Sequence, residues 1–467
     1  MMPFYYGSKV RSVPEFMRRR FGTGAHLVNA LSFAVAQLLI AGVNLFLLGT
    51  IVNRLLGWPL WITLIVAAAI VLSYITLGGL SAAIYNEVLQ FFVIVAALLP
   101  LTLIGLNRVG GWDGLVDKVS NDGMLGAEQL SSWPGEQLSG FSNPVLSVVG
   151  IVFGLGFVLS FGYWTTNFVE VQRAMASKSI NAARLTPIIG AFPKMLIPFI
   201  VVIPGMIAAV LVPQMTQFKE ISANIDEATA LEQTGVTYND ALLLLMREVL
   251  PNGLLGVAIA GLLAAFMAGM AANISAFNTV FSYDLWQQYV VKDREDDYYL
   301  KIGRWATIGA CVVAIFTALI AGNFSNLMDY LQTLFGFFNA PLFATFILGM
   351  FWKRMSATAG WVGLVGGTLS AVFVFILAET GVLDLPGQGA AFLAASTAFV
   401  VDIVLSVIVT MFTTPKPAAE LRGLVYTETP KSDFEDLSEP KPPFWKRPVP
   451  VAGVALVLVI ILNVTFG

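Results

Sequence analysis

A cluster of polar and aromatic residues interrupts an otherwise apolar stretch at 144–173, and its residue types suit the binding of a small polar solute. The cluster consists of Ser160, Tyr163, Trp164, Thr165, Thr166 and Asn167, with Gly154, Gly156 and Gly162 before and within it. Loosened backbone inside a membrane is tolerated only where it lines a cavity or is buried in protein. The stretch therefore predicts a broken helix beside a binding site. A flexible helix that ends in an aromatic belt is the simpler alternative.

Three ionisable residues lie inside apolar stretches that are long enough to cross a membrane: Glu87, Lys194 and Asp402. Each charge at the centre of a spanning helix costs about 2.5–3.5 kcal/mol on insertion scales, so each needs a compensating interaction. Lys194 and Glu87 both lie about two helical turns from the same predicted side. We expect Lys194 to point into the bundle, toward a cavity or an acidic group such as Glu87. Snorkelling of Lys194 to the membrane surface is the alternative.

The composition indicates the class of protein. Of 467 residues, 57% are hydrophobic and only 12% are charged, which is about half of the roughly 25% usual in globular domains. A mean hydropathy of +0.79 agrees with a protein that crosses the membrane many times. One cysteine and one histidine argue against disulfides, zinc, haem and iron–sulfur sites, and no catalytic cluster favours an enzyme. The predicted partners are a small solute and the lipid bilayer, with no cofactor, no nucleic acid and no obligate protein partner.

Eleven apolar segments meet the requirement of about 20 residues for a spanning helix. They are 27–56, 59–77, 80–106, 145–170, 187–212, 253–282, 302–321, 327–352, 358–380, 390–413 and 449–466. Gly78 and Gly79 are expected to form a tight turn between the second and third. With the N-terminus in the cytoplasm, inner segments hold 20 of the 26 lysines and arginines, outer segments hold 5, and Lys194 lies within a helix. This asymmetry predicts a cytoplasmic N-terminus.

The segments between the spans differ in character. The outer loop 107–144 has no apolar period, and the outer loop 213–252 contains a predicted surface helix, Asn239 to Leu250, that is too short and too charged to span. Residues 414–448 are rich in proline and charge and are predicted to be a flexible cytoplasmic linker to the last helix. The whole chain is interpreted as a single transmembrane domain.

Six stretches, in the right order along nearly the whole chain, resemble the sodium:solute symporter family, particularly its sodium/glucose cotransporter branch. They are SVPEFMRRRFG (12–22), GGLSAAIYNEVLQFF (78–92), YWTTNFVEVQRAMASKS (163–179), FPKMLIPFIVVIPGM (192–206), NTVFSYDLW (278–286) and LQTLFGFFNAPLFATFILGMFWKR (331–354). No single stretch is decisive, but together they are specific.

The resemblance implies an all-α fold like that of the leucine transporter, with two inverted five-helix repeats, a site at the midplane and alternating access. Residues 1–26 are then a cytoplasmic loop, 27–106 the remainder of the first repeat, 145–352 the second repeat, and 358–413 and 449–466 additional helices. The first two core helices of the family are not matched. We therefore expect the native protein to begin about 60–80 residues earlier, the length that two spanning helices with a loop and a tail require.

The resemblance also implies a function, which is cation-coupled symport of a sugar or polyol across the plasma membrane. The implied solute-binding residues are Ser160, Tyr163, Trp164, Asn167, Lys194 and Gln332. Tyr163 would be the inner gate over the sugar, and it should face one central cavity together with Trp164 and Gln332. The alternatives are an inactive fragment truncated at its N-terminus and a non-transporting membrane sensor on the same fold.

The family's sodium site departs from its usual pattern in this chain. The resemblance places Ala265, Ala268 and Gly269 where a carbonyl and two serine hydroxyls are expected, so a carbonyl remains and the hydroxyls do not. Asn273 could supply an amide oxygen, which suits a hard cation. Glu87 replaces an aspartate near that site and could serve a proton or sodium. The coupling ion is accordingly left open between sodium and a proton.

Overall fold

The chain folds as a bundle of helices. The computed structural model describes residues 2–122, 126–131, 150–225, 227–324, 326–383, 385, 388–430, 433 and 443–466, and these residues contain no strand. The helices before the first long gap are α1 (Met2–Ser8), α2 (Val13–Phe21), α3 (Thr23–Leu56), α4 (Leu60–Val109) and α5 (Gly111–Ser120).

The remaining helices begin with the stretch that was predicted to be broken. They are α6 (Gly150–Phe161), α7 (Gly162–Thr166), α8 (Phe168–Met175), α9 (Ile180–Leu211), α10 (Pro213–Asn224), α11 (Glu227–Thr234), α12 (Ala241–Val249), α13 (Asn252–Thr279), α14 (Asp296–Ala321), α15 (Leu327–Phe351), α16 (Ala357–Glu379), α17 (Gly389–Phe412) and α18 (Pro448–Thr465). Helix α6 has π-helical turns, and α13 continues in π-helical turns over Val280–Val290.

The apolar helices match the predicted spans. Among the described residues, nine helices are long and apolar enough to cross a membrane, and the bent pair formed by α6–α7 and α8 brings the number to ten. The eleventh predicted span, 59–77, corresponds to the apolar segment Leu60–Thr76 at the start of α4, which is one residue short of the length criterion applied to the others. The first residues of the predicted span 145–170 lie outside the described part of the chain.

Helix α4 contains two of these spans, and its contacts show that it turns back on itself. The Tyr74 hydroxyl donates to the carbonyl of Met267 at 3.1 Å, whereas Ala97 lies directly against Gly261. The two contacted residues, Gly261 and Met267, are six residues or about 9 Å apart along α13. Tyr74 and Ala97 are 23 residues apart, which would be about 35 Å along a straight helix. The segments Leu60–Thr76 and Ala83–Val109 therefore cross separately. The predicted turn at Gly78 and Gly79 falls between them, although the helical assignment runs through it.

The buried acid of α17 has two hydroxyl partners. Asp402 is fully buried, and it accepts hydrogen bonds from Thr345 of α15 at 2.7 Å and from Ser406 at 3.1 Å. Gly363 of α16 lies so close that a Cβ there would be 2.6 Å from an Asp402 carboxylate oxygen. These contacts give Asp402, for which the sequence identified no partner, two hydroxyl donors within the bundle. They also hold α15, α16 and α17 together.

The loops contain more structure than composition indicated. The predicted surface helix at 239–250 is α12, preceded by a 3-10 turn with a capping box between Thr237 and Asp240. Part of the predicted linker packs on the protein, since Leu421 and Val425 are buried and Lys353 pairs with Glu428 at 3.2 Å. Residues 431–432 and 434–442 of that linker lie outside the described residues.

Candidate solute site

The break in the candidate helix lies at Asn167. Its backbone is extended, with φ −70° and ψ 120°, and the axes on either side differ by 45°. The Asn167 side chain then accepts a hydrogen bond from the Val169 backbone N–H at 2.9 Å and so caps the first turn of α8. An asparagine N-cap satisfies a backbone donor that the break exposes, and this makes a broken helix stable inside the bundle.

The nearby glycines permit close packing and do not themselves form the break. A Cβ on Gly162 would lie 2.8 Å from the Phe343 ring, and one on Gly154 would lie 2.9 Å from the Ser396 hydroxyl oxygen. Both glycines let the broken helix approach α15 and α17. The loosened backbone of the predicted cluster is nevertheless present, as the π-helical turns of α6.

Tyr163 and Trp164 contact different neighbours. The ring of Tyr163 lies 4.9 Å from that of Phe335 on α15. Trp164 instead lies beneath Lys194 of α9, whose Nζ is 4.3 Å from the indole ring centroid. Trp164 and Lys194 line a cavity of about 640 Å³ between α9 and α18, and Tyr163 is not among the residues that line it. The two adjacent aromatic residues thus connect the break to two different helices, α15 and α9.

The other predicted solute contacts are spread around the break. Ser160 is exposed near the end of α6, Asn167 is buried as the cap, and Gln332 is half-buried on α15, three residues before Phe335. The structure therefore groups Tyr163 with the α15 face that carries Gln332, and groups Trp164 with Lys194. It does not place the six residues around one space.

Glu87 pairs with Arg173 of α8, at the C-terminal end of the broken helix. The guanidinium donates to both carboxylate oxygens, with Nε 2.9 Å from Oε2, and each side chain is about a fifth exposed. Glu170 lies close enough to interact with Tyr163, Arg173 and Lys194. Opposite charges therefore surround the C-terminal half of the broken helix. Lys194 lies over Trp164 and is close enough to Glu170 to interact with it electrostatically.

Four of the predicted ion-binding positions, Ala265, Ala268, Gly269 and Asn273, lie on α13, and Gly269 packs against Asn44 of α3. Ala265, Ala268 and Gly269 offer no side-chain oxygen, and the Asn273 amide N–H donates to the Gly269 carbonyl at 2.7 Å. The oxygen atoms that remain there as ligands for a cation are the Asn273 amide oxygen and backbone carbonyls. Gln172 donates to the Thr279 hydroxyl at 3.1 Å, which ties α8 to the same helix.

The carboxamides of α3 were not predicted from the sequence. Asn29, Gln37 and Asn44 follow one another at spacings of eight and seven residues, which places them within a stripe about 80° wide on one helix face. Asn44 lies against Gly269, whose Cβ would be 2.4 Å from the Asn44 amide oxygen. The regular spacing of amides in an otherwise apolar helix was the signal that could have identified them.

Comparisons with known proteins identify a family and a fold. The model of the sodium:solute symporter family matches residues 1–367. The chain is 27% identical to the sodium/glucose cotransporter of Vibrio parahaemolyticus over 80% of its own length and 68% of that protein. It is 27% identical to the sodium/mannose cotransporter of Bos taurus over 78% of its own length and 62% of that relative. A Na⁺-coupled sialic acid symporter, solved in a substrate-bound outward-open state, superposes with a TM-score of 0.67 at 18% identity, over 89% of this chain and 80% of that one.

Proposed function

Because the chain belongs to the sodium:solute symporter family, we propose that it moves a small polar solute across the plasma membrane by cation-coupled symport. The observation that carries this proposal is the broken helix α6–α7–α8, capped at Asn167 and bordered by aromatic and charged side chains. Broken helices of this kind surround the midplane sites of secondary transporters. The excess of lysine and arginine on one side supports a cytoplasmic N-terminus.

A sugar or polyol is the solute that the chemistry favours. Tyr163 and Phe335 offer aromatic faces that suit the apolar face of a sugar ring, and Gln332 on the same helix offers an amide for hydroxyl groups. Two relatives are named as glucose and mannose cotransporters, which agrees with this class of solute. Lys194 contributes from the Trp164 side, where its ammonium is held over the indole ring.

Sodium is the coupling ion that we propose, with a proton as the second candidate. The family and the relatives are sodium-coupled by name. Backbone carbonyls near Ala265 and the amide oxygen of Asn273 are donors of the type that a hard cation prefers. Glu87 is engaged by Arg173, so a role for Glu87 in cation binding requires that this ion pair open during the transport cycle.

Uptake by the purified full chain in proteoliposomes tests the proposal. Radiolabelled D-glucose, D-mannose and myo-inositol serve as probes under an imposed sodium gradient, a proton gradient or neither. We expect accumulation of at least one probe that requires the sodium gradient. Lys194→Met should abolish this uptake at unchanged expression, because the ammonium would be lost from the site. Absence of uptake under every gradient would overturn the proposed function, and full uptake by Lys194→Met would assign Lys194 to the membrane surface.

A further inference from the structure

A polar cavity of about 440 Å³ lies between α2 and the π-helical continuation of α13. Its walls come from the connection between α1 and α2, from α2 itself, and from the segment 283–293. The described residues that line it include none from the broken helix, α9 or α15, so the cavity is separate from the candidate solute site. Five of the lining residues are basic: Lys9, Arg11, Arg18, Arg19 and Lys292.

The acidic residues of the lining do not neutralise these five cations. Glu15 pairs with Arg19 at 2.6 Å. Asp284 accepts a hydrogen bond from His26 Nε2 at 3.1 Å. Within the described part of the chain, the other four basic residues have no carboxylate within salt-bridge distance. The third acid is Asp293, so four cations share the cavity with one carboxylate that is outside these pairs.

Neutral groups hold two of the cations in place without cancelling their charge. The Arg11 guanidinium lies over the ring of Tyr283, 4.9 Å from its centroid. Arg18 Nη1 donates to the Gln288 amide oxygen at 2.7 Å. A guanidinium has five N–H donors, so one neutral partner leaves most of them for a ligand. An excess of basic residues on one side of a membrane protein is common, but it does not explain why they converge on one cavity.

The chemistry of the lining selects a ligand that carries a phosphate group. Phosphate is negative at neutral pH and offers several oxygen atoms as acceptors. Arginine binds it through two parallel N–H donors, and lysine binds it as a point charge. A carboxylate offers only two oxygens, a neutral solute would leave the cations uncompensated, and a cation would be repelled. The cavity volume also lies within the roughly 300–1,000 Å³ usual for small-ligand sites.

We propose that this cavity binds a phosphate group through Lys9, Arg11, Arg18 and Lys292. The group belongs either to a soluble phosphorylated compound or to the headgroup of an anionic phospholipid, since both present the same chemistry. Bound phosphate connects α2 with the continuation of α13, because Arg11 and Arg18 approach it from one wall and Lys292 from the other. A ligand that binds only the folded chain stabilises it, so the site has a readout that does not depend on the proposed function.

Thermal unfolding of the purified full chain tests this site in two arms. In neutral detergent, inorganic phosphate is compared with sodium chloride at equal ionic strength. In lipid nanodiscs, phosphatidylcholine alone is compared with a mixture of phosphatidylcholine and phosphatidylglycerol. We expect the Tm to rise with phosphate, with phosphatidylglycerol or with both. A rise in detergent shows that a soluble phosphate is sufficient, and a rise confined to nanodiscs assigns the site to a lipid headgroup.

The double variant Arg11→Gln/Lys292→Gln tests the location of the site. Both side chains are exposed, so its Tm without the anion should be close to that of the wild type. The dissociation constant, obtained from the dependence of Tm on anion concentration, should rise about tenfold or more, as loss of charge-assisted hydrogen bonds predicts.

Lys301→Gln/Arg304→Gln is the matched control, because it removes the same charge from exposed positions of α14 outside the cavity. This control should bind the anion as the wild type does. No rise in Tm in either arm, or an equal loss of binding in the two double variants, would overturn the phosphate site. Neither result would affect the proposed function, which is tested separately by uptake.

Discussion

The ionisable residues within the membrane have partners that their spacing alone did not identify. Lys194 was expected to point toward a cavity or an acidic group such as Glu87; it lines a cavity and lies over Trp164, whereas Glu87 binds Arg173. Similar depth along two helices does not determine which charged groups meet, because several cations can lie at one level. Arginine fits the Glu87 carboxylate because its planar fork donates to both oxygens at once. This pair joins the C-terminal half of the broken helix to α4.

Glu87→Gln should destabilise the protein by roughly 1–3 kcal/mol, because it leaves the Arg173 guanidinium without a counter-charge. The expected loss is below that of a fully buried pair, since both side chains are about a fifth exposed. Thermal unfolding of the purified chain in detergent measures the effect. Glu428→Gln is the control, because the Lys353 side chain that it pairs with is 61% exposed and such pairs contribute under about 1 kcal/mol. Equal Tm changes in the two variants would show that the Glu87–Arg173 pair is not a structural contact.

At the scale of single elements, the sequence located the broken helix but not its break. The glycines at 154, 156 and 162 suggested the position, whereas the backbone bends at Asn167. A glycine pattern cannot show whether the missing side chain serves flexibility or close packing, because the partner helices lie far along the chain. The cap was readable in principle, since an asparagine directly before a helix with a glutamate three residues later, here Asn167 and Glu170, is typical of an N-cap.

Gly162→Ala should destabilise the protein by about 1–3 kcal/mol, since the added methyl would lie 2.8 Å from the ring of fully buried Phe343. The matched control is Gly156→Ala in the same stretch. There a Cβ has only the Ile151 carbonyl oxygen nearby, at 3.5 Å, which is an ordinary contact. Its Tm should be close to that of the wild type. If Gly156→Ala lowered the Tm more than Gly162→Ala, backbone flexibility and not close packing would explain these glycines.

For the whole molecule, composition and span length predicted the helical segments, and the motif resemblance predicted the family and its fold. Contacts between segments far apart in sequence could not be predicted, because the periodicity of apolar residues indicates local helices and not which helices pack together. The cavity between α2 and the continuation of α13 is one example, since its basic residues are recognisable as a group only when the two helices face each other. The attachment of the N-terminal helix α2 to the end of α15 is another.

Arg20 makes that attachment and is fully buried. Its guanidinium donates to the carbonyls of Gly349 at 2.8 Å, Met355 at 3.1 Å and Trp352 at 3.2 Å, at and just beyond the C-terminus of α15. Helix C-termini leave carbonyls without internal partners, and a cation there also interacts favourably with the helix dipole. Burial lowers the pKa of Arg20 to about 10, so the group remains charged at neutral pH.

Arg20→Gln should therefore cost about 3 kcal/mol or more, measured as a fall in Tm of the purified chain, because three buried carbonyls lose a charged donor. Arg20→Lys should recover little of this loss, since a compact ammonium cannot reach three carbonyls with the geometry of a planar fork. Arg19→Gln on the same helix is the control. Arg19 is 40% exposed and pairs with Glu15 one turn away, so its loss should cost under about 1 kcal/mol. A small effect of Arg20→Gln, or full rescue by Arg20→Lys, would show that packing around α2, and not the guanidinium, holds the C-terminal end of α15.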